Sequence, residues 1–165
     1  MSQAFFHQGL FPSPDHTQLF AENLSAHLRQ GDVILLEGGI GAGKTHFARS
    51  LIQAMQASSG RIEDVPSPTF TLVQTYGVEP AEVWHADLYR LSYPDEIEEL
   101  GLTQAFEDAI CLVEWPDRLG ELWPENALLM SFATTVGPNH DDQRVITFSG
   151  RKEIWQNRVL DALPS

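Results

Sequence analysis

The sequence predicts a three-layer α/β fold built on a mixed, mainly parallel central sheet, and three observations carry that expectation. The run DVILLE, residues 32–37, is continuously apolar between its two acids, as in a strand covered on both faces. It passes through a glycine-rich turn straight into THFARSLIQAMQ, where Phe47, Leu51 and Met55 recur at helical spacing. Strand-like and helix-like segments alternate at the front of the chain and give way to a strand-rich rear.

Taken in order, Ser13, Pro14 and Asp15 read as a helix start, with serine as N-cap and proline at the first helical position. Leu19, Phe20, Leu24 and Leu28 then form an apolar stripe that Gly31 ends. After the 32–37 strand and its turn, the second helix closes at a flexible break, ASSGR, around Gly60. Further strands are expected at 70–76, 83–88, 110–114, 127–132 and 145–148, with helices near 94–100 and 153–160. TTVGPNHDDQ, residues 134–143, is rich in turn formers and is the segment expected to move most. With no internal repeat or linker, residues 1–165 are expected to form a single domain that buries a core without disulfides or a structural metal.

Composition narrows the function classes. A formal charge of −13 argues against tight direct binding to nucleic acid or anionic lipid, because affinity for phosphate polymers comes largely from Lys and Arg releasing counterions. A protein partner is easier to reconcile with such a charge. The lone Cys111 lies in the apolar run AICLVEW and reads as a small core residue in a reducing compartment. Residues 1–14 carry neither signal-peptide nor transit-peptide features, and no stretch is long and apolar enough to span a bilayer, so a cytoplasmic location is expected.

The chain has two lysines, Lys44 and Lys152, and the first stands in the glycine-rich turn. GGIGAGKT matches G-x-x-x-x-G-K-[ST], the P-loop, with Gly38, Gly43, Lys44 and Thr45 at the defining positions between strand and helix. Glycines let the loop curl so that amide N–H groups from Gly38, Gly41, Ala42, Gly43 and onward to His46 point inward, where a β-carbon would crowd a phosphate. The helix N-terminus adds its positive dipole end, Lys44 a cation for the β- and γ-phosphates of ATP, and the Thr45 hydroxyl a ligand for Mg2+.

A P-loop also needs an acid at a neighbouring strand end. Asp87 in EVWHADLYR and Glu114 in AICLVEW both qualify, with Glu114 the better strand-end acid by pattern; one can hold the metal while the other positions or deprotonates water. His85 reads as a packing or hydrogen-bonding histidine rather than half of a transition-metal pair, since further ligands are missing. PSPTFTL, residues 66–72, reads either as a nucleotide-sensing loop with Thr69 or Thr71 as oxygen donor, or as a rigid turn entering a strand. No [NT]KxD element is present to read guanine, and the eight arginines are scattered singly rather than clustered on a phosphoryl-clamping lid. A compact ATPase or nucleotide switch is the first expectation; a small-molecule phosphotransferase and a non-hydrolysing assembly factor are the alternatives.

Five blocks, GGIGAGKTHFARSL, SPTFTLVQTY, HADLYRL, EIEELGL and CLVEWPDRL, stand in the order and spacing of the bacterial TsaE family (formerly YjeE), which the chain resembles over roughly residues 13–132. The resemblance implies a P-loop NTPase fold, Lys44 and Thr45 in the nucleotide site, Asp87 as a magnesium ligand, and Glu114 and Trp115 beside the γ-phosphate, with Glu114 nearer the water. It implies that SPTFTL is the switch-like loop. It further implies an ATPase, weak alone, that resets the partner proteins TsaB and TsaD as they attach threonylcarbamoyl to the adenosine next to the anticodon of tRNAs reading A-starting codons. That tRNA is met only through the complex. Two positions depart from the family pattern, which often has an acid at Gly39 and a second hydroxyl at His46, and residues from 137 onward carry little of the likeness.

Overall fold

A strand covered on both faces must divide its side chains between two cores, and the apolar run after Asp32 does so. Ile34 and Leu36 face one cluster with Phe20, Leu24, Phe47, Leu51 and Trp155, while Val33 and Leu35 face another with Ile97, Leu102, Cys111 and Val113. That strand is β2 (Val33–Gly38) in the computed structural model, which describes residues 3–60, 63–93, 95–135 and 142–164. The remaining elements are β1 (Ala4–Phe11), α1 (Pro14–Ser25), α2 (Lys44–Ser59), β3 (Val73–Tyr76), β4 (Val83–Asp87), α3 (Asp95–Glu99), α4 (Leu102–Asp108), β5 (Ile110–Glu114), a 3-10 segment (Pro116–Leu122), β6 (Leu128–Thr134), β7 (Arg144–Arg151) and α5 (Lys152–Ala162).

Among the described residues the sheet has seven strands in the order β1-β7-β6-β2-β5-β4-β3. The centre is parallel, with β2 between β6 and β5 and β4 beyond β5, and antiparallel pairs β7–β6, β1–β7 and β3–β4 complete the flanks. Side chains of α1, α2 and α5 cover one face and those of α3 and α4 the other, the expected three layers. Cys111 is fully buried, and burial pushes its thiol pKa up to about 12, which keeps it an inert core residue.

Several expectations need adjusting. β1 was not anticipated: AFFHQGLF alternates only weakly between buried and exposed, because this edge strand pairs with β7 alone. Nor was α4, which starts after Gly101 in a left-handed conformation. The 70–76 strand begins only at Val73, because Leu72 adopts φ +68° and its amide bonds back to the Pro68 carbonyl at 2.7 Å, closing a turn over 68–72. The first helix stops at Ser25, and residues 26–30 carry on in tight turns. Pro94, the expected helix start, and residues 136–141 of the turn-rich loop lie outside the described residues.

The consequence for function is geometric. Parallel β2, β5 and β4 all end at the same edge of the sheet, and register places Leu36 beside Glu114 and Glu114 beside Asp87. The P-loop and both candidate acids therefore meet where three strands stop.

Candidate functional site

The loop between β2 and α2 curls because its glycines take conformations that side chains avoid: φ is +147° at Gly38, +79° at Gly41 and +109° at Gly43. Gly38 also has no room for a side chain, since a β-carbon there would sit 2.6 Å from the Phe132 carbonyl oxygen of neighbouring β6. The helix takes over at once, with the Phe47 amide donating to the Gly43 carbonyl at 3.0 Å.

Lys44, 4% exposed, turns its Nζ back to donate to the Gly38 carbonyl and lies 3.5 Å from the centroid of the Trp115 ring, a cation–π contact. Burial pushes the pKa of this ammonium below the usual lysine value, while the nearby carboxylates of Glu114, Asp87 and Asp117 act in the opposite sense. Trp115 is held in a left-handed conformation, φ +59°, and Tyr89 packs against it at a centroid distance of 4.8 Å. A non-glycine residue with positive φ directly after a strand-end acid is strain of the kind that accumulates at functional sites.

Glu114 is almost completely buried and accepts from two sides: the Thr45 hydroxyl donates to Oε1 at 2.7 Å, and His85 Nε2 lies 2.7 Å from Oε2. Asp87, 4% exposed, accepts the Thr69 hydroxyl on Oδ2 at 3.1 Å and the Tyr89 amide on Oδ1 at 3.0 Å. Ser67 and Thr69 hydroxyls lie 2.8 Å apart, whereas Thr71 is exposed and receives the Gln74 amide at 3.0 Å. The 68–72 turn thus faces Thr69, not Thr71, toward the acids.

Lys44, Thr45, Thr69, Asp87, Glu114 and Trp115 line one cavity of about 220 Å³ together with Ile40, Gly41 and Tyr89. Its donors suited to a cation are carboxylate and hydroxyl oxygens, a hard set that fits magnesium and excludes the soft, sulfur-preferring metals. Among the described residues no group of three or more His, Cys, Asp or Glu is arranged to hold a metal ion, so the His85–Asp87 pair does not grow into a transition-metal site.

A second cavity of about 340 Å³ lies on the other side of the loop, lined by Pro14, Thr17, Phe132, Asp142 and Arg144 as well as Ala42, Gly43, Lys44 and Thr45. His46 borders it, its Nε2 within 3.0 Å of the Pro14 carbonyl oxygen, where it ties α2 to the start of α1. Two features escape sequence reasoning. The Arg144 guanidinium donates to the Ala42 carbonyl at 2.9 Å and the Gly41 carbonyl at 3.2 Å, clamping the outer side of the loop. No spacing signal links Arg144 to a motif about a hundred residues away; only the β6–β7 hairpin brings it there. The Glu114 contact of His85 is the other, since it depends on β4–β5 register.

Comparison with known proteins places the chain in a family. The family model described as Threonylcarbamoyl adenosine biosynthesis protein TsaE matches residues 11–145. A relative from Rickettsia conorii named tRNA threonylcarbamoyladenosine biosynthesis protein TsaE is 39% identical over 159 residues, covering 89% of this chain and 89% of that protein. A Bacillus subtilis protein of the same name is 36% identical over 138 residues, covering 83% of this chain and 81% of its own. The crystal structure of Bacillus subtilis YdiB superposes with a TM-score of 0.74 at 25% identity, covering 98% of this chain and 97% of the other.

Proposed function

The chain belongs to the TsaE family, and from that premise we propose that it is a single-domain cytoplasmic ATPase of tRNA threonylcarbamoyladenosine biosynthesis that cycles a TsaB–TsaD complex by hydrolysing ATP. The observation that carries this reading is the buried carboxylate of Glu114, bonded to the P-loop hydroxyl of Thr45 at 2.7 Å and paired in register with Asp87.

In this reading the amides of Gly38, Gly41, Ala42, Gly43, Lys44, Thr45 and His46 cradle the phosphates, and Lys44 leaves the Gly38 carbonyl to meet the β- and γ-oxygens. Thr45 and Asp87, with Glu114 in reach, are the residues that would hold Mg2+, which when bound supplies positive charge beside the transferring phosphoryl group. Glu114 positions the attacking water and accepts its proton, and Thr69 senses the γ-phosphate from the turn before β3. Trp115 closes over Lys44 and keeps bulk water from its ammonium. No helix among the described residues is long and apolar enough to cross a membrane. Contact with tRNA then runs through the complex, and the formal charge of −13 steers the chain toward a basic surface on a partner.

The phosphotransferase alternative needs free arginines at the site. Arg144, beside the loop, is instead engaged with the Ala42 and Gly41 carbonyls, Arg118 donates to the Tyr89 carbonyl at 3.4 Å, and Arg90 lies over the Phe70 ring at 5.0 Å. The deciding measurement is phosphate release from ATP by the purified chain, alone and with TsaB, TsaD and tRNA. Low turnover alone and marked stimulation by the pair is the expected result; stimulation by a small metabolite with transfer of the phosphoryl group to it would replace the reading.

A further inference from the structure

The geometry points to His85 as the positioning residue of Glu114: a core-side donor that pins one carboxylate oxygen so that the other faces the phosphate cradle. The inference rests on the hydrolysis reading above.

His85 is fully buried on β4, two residues before Asp87 and therefore on the same face of the strand. Its register partner on β5 is Leu112, two residues before Glu114, so the imidazole lies behind both acids rather than between them and solvent. Nε2 stands 2.7 Å from Glu114 Oε2, while Nδ1 meets no hydrogen-bonding partner among the described residues. An ionised carboxylate only accepts, so the contact puts a proton on Nε2. Among the described residues the imidazole makes one polar contact, and that contact is the candidate water-activating group.

The two oxygens of Glu114 therefore have unequal neighbours. Oε2 is held from the core by a ring with no other partner to turn to. Oε1 is held by the Thr45 hydroxyl, which borders the cavity and can rotate away. Once that hydroxyl turns, Oε1 is free to accept a proton from water, and Oε2 stays where His85 fixes it. A glutamate without the second contact would have three side-chain torsions to explore and would spend less time in the productive pose.

The test uses the full chain with its stimulating partners and the variants H85L, H85Q and E114Q. The glutamine side chain in H85Q can offer an amide N–H near the position of Nε2; the leucine side chain in H85L cannot. H85L is expected to lower kcat about 10- to 100-fold, with KM and the calorimetric Kd for ATP within about twofold of the wild type. H85Q should recover most of that loss. Nitrogen NMR of the imidazole should show the Nε2–H tautomer, with a resonance that moves in E114Q. Wild-type kcat in folded H85L, beside an inactive E114Q, would overturn the role of His85 alone; wild-type turnover in E114Q would overturn the hydrolysis reading itself. If H85L fails to fold, the imidazole signal decides: an unprotonated Nε2, with the proton on Nδ1 alone, overturns the proposal.

Discussion

Two adjacent glycines of the P-loop make opposite predictions on substitution by alanine. A β-carbon on Gly38 would lie 2.6 Å from the Phe132 carbonyl oxygen and 3.2 Å from both Ala42 Cβ and Phe132 Cβ, at φ +147°. Ordinary carbon–oxygen contact begins near about 3.3 Å, so β6 or the loop must yield by about 0.7 Å. Left-handed strain costs about 1–3 kcal/mol and overpacking a similar amount, about 2–6 kcal/mol together. At about 2–4 °C per kcal/mol for a chain of this size, Gly38→Ala should lower Tm by about 4–24 °C. Because the Gly38 amide belongs to the proposed phosphate cradle, a loop displaced by the clash should also bind ATP more weakly. At Gly39 an added β-carbon meets nothing within 4 Å, and Gly39→Ala should stay within about 2 °C of the wild type, as an exposed substitution does. Thermal melts and calorimetric titration of ATP on the two variants read both effects. A Gly38→Ala protein that melts and binds like the wild type, or a Gly39→Ala protein as unstable as Gly38→Ala, would refute the reasoning.

Three further outcomes follow from the same site. Asp87→Asn can keep its contacts with Thr69 and the Tyr89 amide, so it should fold normally yet lose about 10- to 100-fold of the magnesium-dependent part of ATP affinity, read by titration with and without EDTA. Arg144→Ala removes two charge-assisted bonds to loop carbonyls and should cost about 1–3 kcal/mol after solvent competition, seen as a lower Tm and weaker ATP binding. Lys44 in the empty protein sheds its proton below the usual lysine pH, and phosphates favour its ammonium form, so ATP affinity should fall as pH rises through that alkaline window. The sign for folding is opposite: over the same window the unfolded chain holds more protons, so this group makes stability rise with pH, which melts at several pH values can separate from the binding effect.

The parts of this protein legible in the sequence are those set by neighbours along the chain. A continuous apolar run, a glycine turn and a 3.6-residue stripe specify strand, loop and helix locally, and the P-loop with Lys44 and Thr45 is read from that order alone. Asp87 and Glu114 are visible as strand-end acids for the same reason. Even β1 and α4 pass unnoticed, because an edge strand and a seven-residue helix have too little periodicity to stand out.

What each group touches was decided in three dimensions. Thr69 rather than Thr71 meets Asp87 because Leu72 adopts positive φ, and His85 reaches Glu114 because β4 and β5 pair in one register. Arg144 reaches the loop carbonyls because β7 folds back on β6. These contacts join residues up to about a hundred positions apart, where side-chain spacing along the chain carries no information. Strand register and packing determine them, because shifting a strand by one residue would turn each of these side chains to the other face of the sheet.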